Sequence, residues 1–119
     1  MPIIDIEIVA RPGEEPALPL AQPLADALGD AFGADAGKVW IRLRELPAAH
    51  YAENRVPAPA PVFVTVTASA PPAGDALRER IAQVTAAVAR LTRRPAENVH
   101  VEFLPAARGR IAFGGRLVE

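Results

Sequence analysis

The 119-residue chain has no cysteine, one methionine, one tryptophan, one tyrosine and a single lysine, Lys38. Without cysteine, disulfide scaffolds, thiol catalysis and zinc–thiolate sites are excluded. A basic excess is also missing: twelve arginines and one lysine face 14 acidic residues, for a net charge of −1. Nucleic-acid and membrane-surface binding draw on such an excess, so neither kind of partner is expected. No apolar run approaches the ~18 residues of a membrane span. No charged-then-apolar leader opens the chain, so the expected location is cytoplasmic. The two histidines lie in different halves with no metal-ligand spacing. A G-x-S-x-G elbow and a P-loop are absent. The glycine-rich stretch 109–115 runs toward the C-terminus, with no helix after it to cradle a phosphate. No cofactor and no metal are expected.

What is present is a foldable core and a regular order of elements. Half the residues are apolar, enough for one domain that removes roughly two-thirds of its unfolded surface from water. Ile4, Ile6 and Ile8 alternate with Asp5 and Glu7, which predicts a half-buried strand ending at the Arg11-Pro12-Gly13 turn. Leu20, Leu24, Leu28 and Phe32 recur every fourth residue, with Ala17, Ala21 and Ala31 on the same side. The helix they predict ends near Gly33. Pro16, Pro19 and Pro23 restrict its start, which falls as late as Pro23. Val39–Arg44 alternates again as a second strand. A polar loop follows and runs into the cluster Pro57, Pro59 and Pro61.

Beyond that cluster the order recurs. Val62–Thr67 predicts a strand, Asp75–Arg93 a helix with Asp75 as N-cap, and Val99–Leu104 a strand, with a hairpin or coil as the tail. Val39-x-Ile41-x-Leu43 and Val99-x-Val101-x-Phe103 stand 60 residues apart, and Leu46-Pro47-Ala48-Ala49 and Leu104-Pro105-Ala106-Ala107 stand 58 apart. The expected architecture is α/β of the α+β kind. It is one domain of two βαβ repeats, about 2–57 and 61–119, joined by the proline-rich segment. A four-stranded mixed sheet carries both helices on one face. The other face then lacks cover within one subunit, which implies an oligomer.

The remaining feature is the second residue. If methionine is trimmed ahead of Pro2, a secondary amine opens the first strand. An α-amino group titrates near 7.7–8.0, and burial or cationic neighbours lower that value. Such an amine is a competent general base near neutral pH.

Pro2-Ile3-Ile4, the doubled βαβ order and the ending Ala107-Arg108-Gly109-Arg110-Ile111-Ala112-Phe113-Gly114-Gly115 together resemble the tautomerase superfamily. That superfamily includes 4-oxalocrotonate tautomerase, macrophage migration inhibitory factor and the chloroacrylic acid dehalogenases. The resemblance covers nearly the whole chain and looks like the fused two-repeat branch that assembles as trimers. It implies that Pro2, after loss of Met1, shuttles a proton between oxygen and carbon of a small 2-hydroxy-dienoate or 2-oxo acid. Arg11 sits near the family's arginine before the first helix, one position early. The family's second-strand arginine falls on Trp40 and His100, so that arginine is absent, and Arg42 and Arg44 are the candidates to replace it. Ile111 or Phe113 matches the family's apolar wall. Pro61 opens the second half, but its nitrogen is an amide.

The stretch from Trp40 to Glu53 is also similar to one in the chloroacrylic acid dehalogenases. That similarity makes Glu53 a candidate to activate water, although the stretch lies in their other half. His50 and Tyr51 are candidate substrate contacts beside it, and Arg108 and Arg110 flank the expected pocket mouth. Arg42 and Arg44 read equally as a solvated strand face, and Trp40 as core or interface. Three functions follow: a cofactor-free tautomerase, a hydratase or dehalogenase, or a non-catalytic trimeric binding protein if Met1 is retained.

Overall fold

The computed structural model describes residues 2–14 and 19–119. Met1, Pro16 and Ala17, on which the sequence expectations also drew, lie outside the described residues. Strand β1 (Ile3–Val9) leads to helix α1 (Ala21–Ala31) and strand β2 (Trp40–Leu46). Strand β3 (Val62–Thr67), helix α2 (Gly74–Thr92) and strand β4 (Val99–Phe103) repeat the pattern. A short hairpin, β5 (Ala112–Phe113) and β6 (Arg116–Leu117), follows. The sheet order is β2-β1-β3-β4. Within each repeat the strands are parallel, and β1 and β3 meet antiparallel at the centre. The expected mixed four-stranded sheet is therefore present.

Alternation decides the faces, because successive side chains of a strand point to opposite sides. Ile4, Ile6 and Ile8 point to the helices with Val62, Val64 and Val66, all buried. Leu24 and Leu28 of α1 and Val84 and Val88 of α2 close over them to form one core. The odd-numbered residues of β1 take the other face. There Asp5 lies opposite Arg42 and Glu7 opposite Arg44. Thr65 lies opposite Glu102, and Phe63 opposite His100. Both helices lie on the opposite face, and on this one the Tyr51 ring meets Phe63, centroids 5.8 Å apart.

The two helix starts differ from expectation. Pro23 is the third residue of α1, within the first turn, where its missing N–H costs no helical bond. Helix α2 starts at Gly74, whose φ of +58° turns the chain into the helix, so Asp75 is not the N-cap. Asp75 lies in the first turn, where a carboxylate complements the helix dipole, and pairs with Arg78 at 2.8 Å. The tail resolves as a hairpin whose turn, Gly114-Gly115, has φ of +58° and +85° at both positions, as a two-residue primed turn requires.

One buried cation ties the repeats together. Arg94, following α2, donates to the carbonyls of Ala60 at 3.0 Å and Val9 at 2.9 Å and pairs with Glu14 at 2.8 Å. Its side chain is 3% exposed. Among the described residues no helix is long and apolar enough to cross a membrane.

Candidate functional site

Pro2 is buried at the start of β1. Its carbonyl accepts the Trp40 N–H at 3.1 Å, which fixes the beginnings of β1 and β2 side by side. Being even-numbered, Pro2 continues the helix-facing row of Ile4, Ile6 and Ile8. It sits where that row emerges at one end of the sheet, beside the exit of β3. A cavity of about 230 Å³ opens there, lined by Pro2, Phe32, Lys38, Ser69, Arg80 and short apolar residues. Four segments distant in sequence meet in it. They are the start of β1, the α1–β2 connection, the segment after β3 and the second turn of α2.

Two cations line this cavity. The Arg80 guanidinium carbon stands 4.7 Å from the centroid of the Phe32 ring, a cation–π geometry. Phe32 is itself stacked on Phe103, with centroids 6.2 Å apart. Neither the Arg80 guanidinium nor the Lys38 ammonium meets a carboxylate among the described residues. Unneutralised positive charge beside apolar walls makes the cavity suited to a small anion. The segment after β4 braces the wall, its Ala107 and Arg108 N–H groups donating to the carbonyls of Ala68 at 3.0 Å and Ser69 at 3.2 Å.

The other sequence candidates are distributed around the molecule. Arg11 lies past the far end of β1, nine residues from Pro2 or roughly 30 Å of extended chain, and pairs with Glu14 at 3.3 Å. Arg42 is on the uncovered sheet face, gripping Asp5 with two bonds of 2.6 and 2.8 Å. That grip holds the Asp5 carboxyl below the usual carboxylate range and pushes the Arg42 guanidinium up. Arg44 shares the face, opposite Glu7. Glu53 accepts the Tyr51 hydroxyl at 2.7 Å, a bond that raises the Tyr51 phenol above its ordinary value. The Tyr51 ring is 5.8 Å from Phe63, whose partner in β1 is Glu7, so this pair stands toward the end of the sheet away from Pro2. His50 is exposed at the close of a 3-10 turn.

Trp40 does not line the Pro2 cavity. It donates from its indole to the Gly37 carbonyl at 3.0 Å and meets Phe113 edge-on, ring centroids 5.1 Å apart. Arg110 and Ile111 line a separate cavity of about 290 Å³ with Thr67 and Leu104. Arg108 is exposed. Of the sequence candidates, Pro2 alone lines the 230 Å³ cavity within one chain.

Sequence reasoning missed Lys38, Phe32, Ser69 and Arg80. Phe32 continues the four-residue apolar stripe of α1 and reads as core. Arg80 reads as one more charge on a solvated helix face. Lys38 did carry a signal, as the chain's only lysine.

No family model and no curated protein matches the sequence. Solved structures do match it along nearly its full length. Pt0534 inactivated by 2-oxo-3-pentynoate has 19% identity and a TM-score of 0.78, covering 98% of this chain and 94% of that one. A fused 4-OT wild-type symmetric trimer has 22% identity and a TM-score of 0.78 over the same shares. The macrophage migration inhibitory factor of Trichinella spiralis has 10% identity and a TM-score of 0.73, covering 97% of this chain and 98% of that one. At these identities what is shared is the fold, the one found in 4-OT and macrophage migration inhibitory factor.

Proposed function

We propose that this chain is a cofactor-free tautomerase that interconverts enol and keto forms of a small 2-hydroxy-dienoate or 2-oxo acid. The observation that carries this reading is the placement of Pro2, buried at a strand start and lining a cavity with two cations that meet no carboxylate among the described residues. Once Met1 is removed, the Pro2 nitrogen is a secondary amine. Burial and the charges of Lys38 and Arg80 all disfavour its ammonium form, so a neutral base is available near pH 7. That base takes the proton from the enol oxygen, or from the carbon α to a carbonyl, and returns it at the other atom. The same cations stabilise the dienolate that develops between the two transfers, and preorganised charge of this kind usually outweighs the base itself. The overall change moves one proton and one double bond, and no redox partner enters.

The trimeric assembly of a fused 4-OT neighbour supports a homotrimer here as well, in which the polar sheet face turns toward the other subunits. A cytoplasmic location fits this reading. The water-activating alternative through Glu53 has weaker support, because that carboxylate is occupied by Tyr51 and stands away from Pro2.

Ketonisation of phenylenolpyruvate tests the proposal. With Met1 absent by intact mass, the wild type turns the substrate over. Pro2→Ala, also free of Met1, loses at least about 10²-fold in kcat/KM, the usual scale for a general base. Undiminished turnover by Pro2→Ala would refute the mechanism.

A further inference from the structure

We infer that Arg80, held against the ring of Phe32, grips the substrate carboxylate in the Pro2 cavity, and that Phe32 is its positioning residue; the inference rests on the tautomerase reading for the chemistry but not for the binding. Five other arginines are accounted for in the fold. Arg94 is buried on Glu14 and two carbonyls, and Arg42 is clamped on Asp5. Arg78 pairs with Asp75, Arg11 with Glu14, and Arg44 lies opposite Glu7 on the sheet face turned away from the helices. What sets Arg80 apart from these five is that it lines the same cavity as Pro2; it is half-buried there and meets no carboxylate among the described residues.

The sole described contact of its guanidinium is a ring face, 4.7 Å from carbon to centroid. A ring face accepts charge but takes up none of the in-plane N–H donors, so the fork that matches a carboxylate remains free. Phe32 in turn is backed by Phe103 at 6.2 Å, which limits where the guanidinium rests. Lys38 faces the cavity from an exposed turn. Its ammonium is well hydrated and lacks the fork, so it adds charge without fixing orientation. The cation therefore comes from the second repeat and serves the amine of the first, inside one subunit. Neither Arg42 nor Arg44 is needed for the grip.

Binding of phenylpyruvate and of its methyl ester, measured by titration calorimetry, tests this without turnover. Arg80→Ala weakens the acid about 10- to 100-fold, the scale of one charge-assisted hydrogen-bonded pair, and leaves the ester unchanged. Arg80→Lys keeps charge and stem but loses the fork, and also weakens the acid. In phenylenolpyruvate kinetics Phe32→Leu, with the guanidinium retained, raises KM several-fold with little change in kcat, and Phe32→Tyr restores the wild-type KM.

Acid binding by Arg80→Ala and Arg80→Lys at wild-type strength would overturn the inference. So would equal losses for acid and ester, or a Phe32→Leu variant with unchanged KM. A protein that binds phenylpyruvate through Arg80 yet turns over no enol defeats the tautomerase reading and leaves the grip standing. An active enzyme whose KM ignores Arg80 does the reverse.

Discussion

Arg94 illustrates how much one arginine side chain organises when water is excluded. It holds the carbonyls at the end of β1 and before β3 and meets Glu14, while almost none of its side chain reaches solvent. Arg94→Met removes four donor contacts and leaves Glu14 with Arg11 as its one cationic partner among the described residues. Urea unfolding should show a loss of about 2–4 kcal/mol, below the roughly 3–5 kcal/mol of a fully buried pair because Glu14 keeps part of its exposure. Glu14→Gln keeps shape but removes the charge, and about 1–3 kcal/mol is expected from it at pH 7. The Arg94 hydrogen bond holds the Glu14 carboxyl below its ordinary 4.5. A depressed carboxylate stabilises the fold fully above its unfolded pKa and loses that contribution as pH falls through the folded one. Wild type and Glu14→Gln should therefore converge in stability as pH is lowered from 7 to about 3.

Tyr51 offers a second reading at this scale, because it is the chain's only tyrosine. Ultraviolet titration of the phenol reports on it alone. Its midpoint should lie above the ordinary 10.0 in the wild type and return toward that value in Glu53→Gln. An unshifted midpoint in the wild type would contradict the 2.7 Å bond between the two side chains.

At the level of elements, the chain was legible wherever periodicity spoke. Alternation in Ile4–Ile8 and Val62–Thr67 assigned β1 and β3 and their buried faces, because a period of two has only one way to bury three branched side chains together. The Val84–Val88 stripe marked α2 in the same way. Ile6 lies at the centre of that arrangement, 1% exposed under both helices. Ile6→Ala should cost about 3–4 kcal/mol, transfer plus cavity, read as a fall in melting temperature of roughly 10–20 °C. The cap of α2 was less legible: the left-handed Gly74 starts the helix before Asp75, and a backbone turn outranks a side-chain preference.

The candidate site was legible only where one residue sufficed. Pro2 is identified by its place in the chain. Phe32, Lys38 and Arg80 are identified by the sheet and helices that bring them to it, and no spacing in the sequence records that meeting. Arg42 and Arg44 were correctly placed on one strand face with Trp40. The parity of β1, which sends Pro2 toward the helices and Asp5 away from them, puts those two arginines on the opposite side of the sheet.

For the whole molecule, the open question posed by the fold is the sheet face carrying Asp5, Arg42, Arg44, Phe63 and Glu102. It is polar and charge-paired, unlike the apolar face that a stable dimer core would use. Three copies arranged around an axis can turn such a face inward and keep it hydrated. Sedimentation equilibrium at physiological salt should return three times the 12.6 kDa chain mass. A monomeric mass at micromolar concentration would remove the homotrimer from the proposal.

The place of Lys38 sets one further property of the surface. Because the chain contains a single lysine, its side-chain amine chemistry is gathered at the mouth of the Pro2 cavity. The remaining cations are arginines, which ordinary acylating reagents leave alone. A tag, a support or an acyl group attached through lysine has one address on this protein, and that address is its candidate site.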